Sequence, residues 1–504
     1  MLGNAASLRG FLHASGFELV LAAGIFLVLG VGLVARTGSR YVALGLTVAT
    51  LVGATGALLG TAPVQPRGLF GGLLARDAFG DFFKLLAAAA AVLVALMSLA
   101  SEEVLDHRDG DRDAAEYGAL LLAVVLGAGL MASATDLLIV TLSIELVSIL
   151  SYVLAAFSRR TSRSAEAGLK YVIYGGVATG TMVYGFSLLY GLAGSTGLAA
   201  TASAAAHAPL MVGGTALALV MAGFGFKLAI VPFHSWCPDV YEGAPTPISA
   251  FFSIVPKAAG FALAYRFFLA AGAGVEGMDA GKPGPATVAL ATLAVATMTF
   301  GNLAALAQQN VKRLLAYSSI AQAGNLLLAF VAAPGAGGPA LLTYLGIYLF
   351  MNLAAFLAVV ALVREGVGET LDEFAGLGRR APVPALCLTL ALISLAGLPP
   401  LAGFPAKYAV IAAVVARGAE GGGALFFVVA LAAVLNTVVS LGYYARVARV
   451  MYFGTGDPDA QALRLAPLHT ALLLVTTIPT VLLGVYLEPL SSLAARSAQL
   501  WSGR

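Results

Sequence analysis

Fourteen long apolar segments follow one another along this chain and constrain its fold more than any other feature. An α-helix rises 1.5 Å per residue, so about 20 apolar residues cross the roughly 30 Å of hydrocarbon in a bilayer. The sequence therefore predicts an all-α polytopic membrane protein with about fourteen transmembrane helices. We number the segments spans 1 to 14, covering residues 16–34, 40–60, 81–100, 117–137, 138–158, 168–191, 210–237, 246–270, 285–306, 311–333, 339–363, 382–416, 424–452 and 467–488.

The composition excludes several classes of function. Hydrophobic residues make up 60% of the 504 residues and charged residues 11%, which is more apolar than one globular core can bury. The two cysteines, Cys237 and Cys387, are too few for a disulfide framework or for the four thiolates of an iron–sulfur cluster. We therefore expect no redox centre in this chain. A net charge of only +3 also argues against nucleic acid as a partner.

Prolines interrupt two of the predicted spans. Pro232 lies inside span 7, and Pro399, Pro400 and Pro405 lie inside span 12. A proline in a helix interior lacks a backbone donor and frees the carbonyl four residues earlier, which a membrane tolerates only beside protein or a hydrated cavity. Spans 7 and 12 are five apart, so the second crosses the membrane in the opposite direction. This pattern predicts two inverted five-helix repeats, spans 4–8 and 9–13, with broken helices 7 and 12.

The predicted repeats divide the chain into four parts. Residues 1–116 hold spans 1 to 3, residues 117–272 the first repeat, residues 285–452 the second repeat, and residues 467–504 span 14 with the tail. Lys and Arg are more frequent in the loops opposite the two termini than on the terminal side. Because basic loops stay in the cytoplasm, both termini are predicted on the non-cytoplasmic side of the membrane.

Four ionisable residues fall near the middle of predicted spans: Glu145, Lys227, Lys257 and Lys407. A charge at that depth costs at least a few kcal/mol and usually faces a partner or a water-filled path. The default hypothesis is therefore an ion or proton route through the bundle. His234, just past the break in span 7, is a further candidate that either relays protons or hydrogen-bonds the freed carbonyls.

A buried ammonium gains stability when a carboxylate approaches and loses it when the carboxylate moves away. Glu145 is the natural partner of Lys227, so we expect Lys227 to hold its proton when the two meet and to pass it toward Lys257 when they separate. Lys407 then carries the proton in the second half. The alternatives are a static Glu145–Lys227 ion pair and, for Lys257 and Lys407, lysines that snorkel or bond a carbonyl.

Three further charged residues are predicted to have structural roles rather than roles in proton transfer. Lys312 and Arg313 open span 10 and are predicted to anchor it at the membrane interface. Asp136 divides span 4 from span 5 and is predicted to mark a helix boundary rather than a relay position.

Several stretches resemble subunit N of the proton-pumping NADH-quinone oxidoreductases, the respiratory complex I family. They are SIELVSILSYVLAAF (143–157), SAEAGLKYVIYGG (164–176), FKLAIVPFHSWCPDVYEGAPTPISAFFSIVPKAAGF (226–261), GNLAALAQQNVKRLLAYSSIAQAG (301–324) and SLAGLPPLAGFPAKY (394–408). The stretch PDVYEGAPTP (238–247) resembles subunit N in particular, because the sister subunits L and M and the Mrp cation/proton antiporters look different there.

The resemblance implies a non-redox subunit of a proton-translocating oxidoreductase, located in the bacterial plasma membrane. It implies that Glu145, Lys227, Lys257 and Lys407 match the family's proton-path residues. It also implies that NAD, FMN, iron–sulfur clusters and quinone are held by partner subunits, with no cofactor in this chain. The antiporter-like subunit M and the small subunits K and J are the expected neighbours.

The chain departs from the family pattern in span 10 and span 12. Gln322 stands where the family usually has His, and Asn325 stands where Tyr is frequent. Because glutamine does not titrate, we expect a relay through span 10 to use water or to bypass this position. Pro405 beside Lys407 is also unusual. The remaining alternatives are an Mrp-like monovalent cation/proton antiporter subunit and a purely architectural membrane subunit.

Overall fold

In a computed structural model, residues 14–34, 39–61, 66–99, 101, 103–104, 110–158, 161–272, 283–456 and 461–500 are described. Among them, thirteen helices are long and apolar enough to cross a membrane, and they correspond to spans 1–11, 13 and 14. Span 12 consists of two shorter helices. The prediction of fourteen spans in an all-α membrane protein is confirmed. The uninterrupted spans are Gly16–Val34, Ser39–Gly60, Ala78–Leu99, Gly110–Ser133, Leu137–Ala155, Ser162–Ala193, Thr246–Gly272, Pro285–Leu306, Val311–Val331, Gly337–Arg364, Ala424–Phe453 and Pro467–Val485.

Spans 7 and 12 are broken as the prolines predicted. Span 7 runs as Leu210–Leu228 and resumes as Trp236–Gly243, and span 12 runs as Pro382–Ala396 and resumes as Gly403–Arg417. The first helix of each span ends on a left-handed residue, Ala229 at φ 56° and Gly397 at φ 83°. A left-handed residue after the last turn is a common way for a helix to end. The inverted symmetry of the two repeats and the four-part division of the chain stay predictions.

Helix ends differ from the apolar runs where polar residues continue the helix. Span 4 begins at Gly110 rather than 117, and span 6 at Ser162 rather than 168. The apolar run reports the thickness of the hydrocarbon, and the helix itself extends into the polar interface. Asp136 is confirmed as a boundary residue, because its side chain accepts a hydrogen bond from the Leu138 amide at the start of span 5.

Short elements complete the described part of the chain. Strands β1 (Arg67–Leu69) and β2 (Leu74–Arg76) form an antiparallel hairpin between spans 2 and 3. Helix Leu198–His207 lies between spans 6 and 7, helix Leu377–Arg380 between spans 11 and 12, and helix Glu488–Ser497 follows span 14.

The centre of the bundle is formed by spans 8, 10 and 11. Almost every residue of these three helices is buried, whereas spans 1, 2, 6, 13 and 14 present most of their surface outward. Lys257 lies on span 8 and is buried at the centre of the bundle.

Several basic residues counted with the terminal-side loops are instead buried in the bundle. Lys84 lies in span 3 with its Nζ 2.6 Å from Glu18 Oε1, and Arg266 lies in span 8 with a two-pronged contact to Asp77 at 2.8 and 2.9 Å. Each cation is tolerated there because it meets a carboxylate. Other residues behind the orientation prediction, including Arg9, Arg36, Arg108 and Arg504, lie outside the described residues.

Candidate proton pathway

Lys227 lies in the last turn before the break in span 7 and is buried. Its Nζ donates a hydrogen bond to the Ser148 Oγ at 3.1 Å. Ser148 is on span 5, three residues after Glu145, and residues at this spacing share one face of a helix. Both Glu145 and Lys227 are described, and no ion pair joins them. The static ion pair is therefore absent from this structure, and a serine hydroxyl stands one helical turn from the carboxylate.

Glu145 itself is half-buried at the rim of the bundle. On the same helix, the neighbouring side chains Leu142 and Ile149 are 66% and 54% exposed. The carboxylate thus lies between the interior hydroxyl of Ser148 and the outer surface of the chain.

Lys257 is held by span 10. Its Nζ donates to the Ser319 carbonyl oxygen at 2.9 Å and also to the Ser319 Oγ. The Tyr348 hydroxyl of span 11 donates to the same Oγ at 3.1 Å. A Cβ built on Gly260, one turn after Lys257, would lie 3.2 Å from the Lys227 Cγ. The glycine therefore lets the stem of Lys227 pass close to the helix that carries Lys257.

Gln322 connects span 10 to spans 11 and 12. Its Nε2 donates to the Leu395 carbonyl at 2.9 Å, and its Oε1 accepts from the Tyr344 hydroxyl. The Tyr444 hydroxyl of span 13 lies 3.5 Å from the Gln322 Nε2 and shares a 2.5 Å hydrogen bond with Ser318 Oγ. A non-titrating amide is thus surrounded by hydroxyl groups, which agrees with a route that bypasses it.

Lys407 folds back across the break in span 12. Its Nζ donates to the Ala396 carbonyl at 2.9 Å, at the C-terminal end of the first helix, where the helix dipole favours a cation. A Cβ on Gly397 would lie 2.6 Å from the Lys407 Cδ. Lys257 and Lys407 are therefore both bonded to backbone carbonyls inside the bundle, which is the contact that the structural alternative to a relay predicted, and neither snorkels toward the surface.

Hydroxyl groups and one side-chain amide lie between Lys257 and Lys407. They belong to Ser318, Ser319, Gln322, Tyr344, Tyr348 and Tyr444, all buried. Of these residues, only Gln322 was singled out from the sequence. Serine and tyrosine are uncharged and occur in many membrane helices, so only their position beside a lysine marks them. Their one sequence signal is the pair Ser318–Ser319 in the middle of span 10.

His234 lies away from these groups. Its ring packs edge-on against Phe300 of span 9 with the centroids 4.4 Å apart, and its Nδ1 is buried with no hydrogen-bond partner among the described residues. The structure places Lys227 against span 5, Lys257 against span 10 and Lys407 against the first helix of span 12, and it does not join His234 to them.

Lys312 and Arg313 contact the stretch 238–247. The buried Lys312 Nζ donates to the Ala244 carbonyl at 2.9 Å and lies 3.0 Å from a Glu369 oxygen. Arg313 is ion-paired with Asp239 at 2.6 Å and with Glu242 at 2.8 Å. Asp239 and Glu242 lie on the second helix of span 7, so these ion pairs tie the start of span 10 to that helix, and the anchor interpretation stays a prediction.

An open polar pocket of about 220 Å³ lies beside this ion-pair cluster. Six charged residues line it: Arg163, Glu166, Lys170, Asp239, Glu242 and Arg313. Lys170 binds Asp239 at 2.8 Å, so Asp239 joins span 6 to span 10 through the second helix of span 7. The pocket balances three basic with three acidic side chains.

Comparison with known proteins places this architecture in a family. Residues 134–438 match the profile of the NADH:quinone oxidoreductase/Mrp antiporter transmembrane family. A protein of Sorangium cellulosum named NADH-quinone oxidoreductase subunit N 2 is 44% identical over 99% of this chain and 99% of its own length.

Of two similar solved structures, one resembles this chain in sequence and fold and the other in fold alone. A chain of respiratory complex I from Thermus thermophilus, solved with bound aureothin, is 32% identical, with a TM-score of 0.76 over 95% of this chain and 99% of that one. A chain of the Mrp complex from a Dietzia species has a TM-score of 0.82 over 97% of both chains, but at 21% identity it shows the fold alone. The profile match and the subunit N relative together show that this chain belongs to the NADH:quinone oxidoreductase/Mrp antiporter transmembrane family, on its subunit N branch.

Proposed function

We propose that this chain is a proton-translocating membrane-arm subunit of an NADH-quinone oxidoreductase and carries no redox cofactor itself. The observation that carries the proposal is that three lysines, buried in the membrane bundle, are each bonded to a hydroxyl or carbonyl rather than to a carboxylate. A structural ion pair would hold its proton. A lysine bonded to neutral groups is free to respond when a charge nearby moves.

Glu145 is the charge nearest to Lys227 along this route. When the Lys227 ammonium leaves Ser148 for Glu145 it keeps its proton, and when it returns to Ser148 the proton is released toward Lys257. From Lys257 the hydroxyls of Ser319, Tyr348 and Tyr444 lead toward Lys407. Gln322 contacts the hydroxyls of Tyr444 and Tyr344 and does not itself carry a proton.

The energy for translocation comes from outside this chain. Moving one charge against 100 mV costs about 2.3 kcal/mol, and no group in the described bundle supplies it. Quinone reduction in partner subunits that hold NAD, FMN, iron–sulfur clusters and quinone is the proposed source. We propose the antiporter-like subunit M and the small subunits K and J as neighbours, in a bacterial plasma membrane with both termini of this chain on the non-cytoplasmic side.

The first test is the composition of the purified complex. Extraction in mild detergent is expected to yield the chain together with NADH-oxidising subunits. A chain that purifies alone and exchanges sodium for protons in liposomes would favour the antiporter alternative.

The second test is proton pumping by the assembled complex in liposomes. Lys227→Ala and Glu145→Ala are expected to lower the protons moved per NADH oxidised while assembly persists. Arg464→Ala, an exposed basic residue outside the network, is the matched control and is expected to pump normally. Intact pumping by both Lys227→Ala and Glu145→Ala would leave only the architectural role.

A further inference from the structure

The break in span 12 leaves backbone groups that need partners inside the membrane. The carbonyls ending its first helix and the amides starting its second have no partner within their own helix. On the carbonyl side, the Leu395 oxygen accepts from Gln322 and the Ala396 oxygen from Lys407. On the amide side, Gly403 N donates to the Ser394 Oγ at 3.0 Å. Each partner named so far lies in span 10 or in span 12 itself.

The amide of Ala402 finds its hydrogen-bond acceptor in span 14. Ala402 N donates to the Thr480 carbonyl oxygen at 2.9 Å. One turn later, a Cβ built on Gly484 would lie 2.0 Å from the Pro400 oxygen and 2.6 Å from the Leu401 carbonyl carbon. The two backbones are therefore in direct contact, and only glycine allows it. Small residues commonly permit such close approach between membrane helices.

The same break holds Lys407 in place. Residues 397–402 connect the carbonyl that accepts the Lys407 ammonium to the helix that carries Lys407. Span 14 fixes the far end of this connection at Ala402, and Gly397 fixes the near end against the lysine stem. A shift of the connection changes the distance between Lys407 Nζ and the Ala396 oxygen.

We propose that Thr480 and Gly484 of span 14 are positioning residues for proton transfer at Lys407, an inference that rests on the proposed function. Span 14 lies beyond residue 438, where the match to the family profile ends. The proposal therefore gives the last membrane helix a part in the relay, although it carries no relay residue itself.

The break in span 7 has a comparable contact. Its Val231 amide donates to the Thr297 Oγ1 of span 9 at 3.1 Å. In both breaks, a helix two spans later accepts the hydrogen bond of an amide freed by the interruption, through a side-chain hydroxyl in span 9 and through a backbone carbonyl in span 14. This second instance supports a general role for the later helix in holding a broken one.

The test uses Gly484→Ala in the complete complex reconstituted in liposomes. Alanine is the better helix former, so helix propensity alone predicts no loss. We expect electron transfer to persist and the protons moved per electron to fall as far as in Lys407→Ala. Gly180→Ala in span 6 is the matched control, because a Cβ there meets nothing within 4 Å.

A second variant addresses the same contact without adding bulk at span 14. Ala402→Pro removes the amide that donates to Thr480, at a residue whose φ of −60° already suits proline. If Gly484→Ala does not assemble, Ala402→Pro tests the proposal in its place. The same loss of pumping is expected. Normal pumping by either assembled variant overturns the proposal.

A double mutant separates positioning from a general structural effect. If Gly484 acts through Lys407, then Gly484→Ala causes no further loss of pumping in a Lys407→Ala background. An additive loss means that Gly484 acts elsewhere and overturns the proposal. Normal pumping by Lys407→Ala alone would instead overturn the proposed function, so the two failures are distinguishable.

Discussion

The hydrogen bond between Lys227 and Ser148 is the contact most open to a direct test. Ser148→Ala removes the Oγ that accepts from the Lys227 Nζ at 3.1 Å, at a buried site. A hydrogen bond to a charged group contributes about 1.5 to 3 kcal/mol. Its loss therefore shifts the position of the ammonium between Ser148 and Glu145 by roughly tenfold to a hundredfold toward Glu145.

The expected result is a complex that oxidises NADH but moves fewer protons per electron, because Lys227 stays with Glu145 and releases its proton less often. The assay compares the rate of NADH oxidation with the pH change inside liposomes containing the assembled complex. Ser148→Thr keeps a hydroxyl and is expected to restore pumping. Ser151→Ala is the control on the same helix, since the Ser151 Oγ donates only to the Val147 carbonyl of its own helix.

Wild-type pumping by Ser148→Ala, together with lost pumping in Lys227→Ala, would refute this reasoning. It would mean that the lysine matters while the hydroxyl that holds it does not. The position of the ammonium between Ser148 and Glu145 would then have no part in coupling.

Three further changes test other parts of the site. Gly397→Ala is expected to abolish pumping and to cost about 1 to 2 kcal/mol of stability at a left-handed residue, whereas Gly366→Ala, at a similar φ of 82° in open space, is expected to lower only the melting temperature of the complex. Gln322→His keeps a donor and an acceptor and is expected to pump, while Gln322→Leu leaves buried polar groups unpaired at about 1 to 3 kcal/mol each and is expected to lose pumping; equal activity of the two variants would contradict the assigned hydrogen bonds. Lys312→Ala is expected to destabilise the complex by up to about 3 kcal/mol by removing the cation paired with Glu369, and thermal unfolding that matches wild type would show that this pair adds nothing.

The fold was largely predictable from the sequence because its signals are local. The length of an apolar run follows from the thickness of the hydrocarbon, and a proline marks a break wherever it removes an amide inside a span. Lys84 and Arg266 were misplaced for the opposite reason. Whether a basic residue near a helix end reaches solvent or a carboxylate depends on helices elsewhere in the chain, here Glu18 of span 1 and Asp77 before span 3.

The candidate site was only partly predictable. A lone ionisable residue inside an apolar segment is visible in the sequence, so Glu145 and the three lysines were found from it. The pairing of Glu145 with Lys227 was expected from their opposite charges, and the structure instead puts Ser148 at the lysine. Serine carries no charge and fits any membrane helix, so nothing in the sequence distinguishes Ser148 from its neighbours.

By itself the sequence predicted an all-α membrane protein with about fourteen spans, the places where two of its helices break, and four of the charged groups that lie inside apolar segments. Those properties depend on neighbouring residues along the chain. The tertiary structure alone decided which group each ammonium touches, because the partners of Lys227 and Lys257 lie 79 and 62 residues away in sequence. Contacts over such separations are set by how the helices pack, and packing brought a serine, a backbone carbonyl and the last membrane helix to the places where the lysines lie.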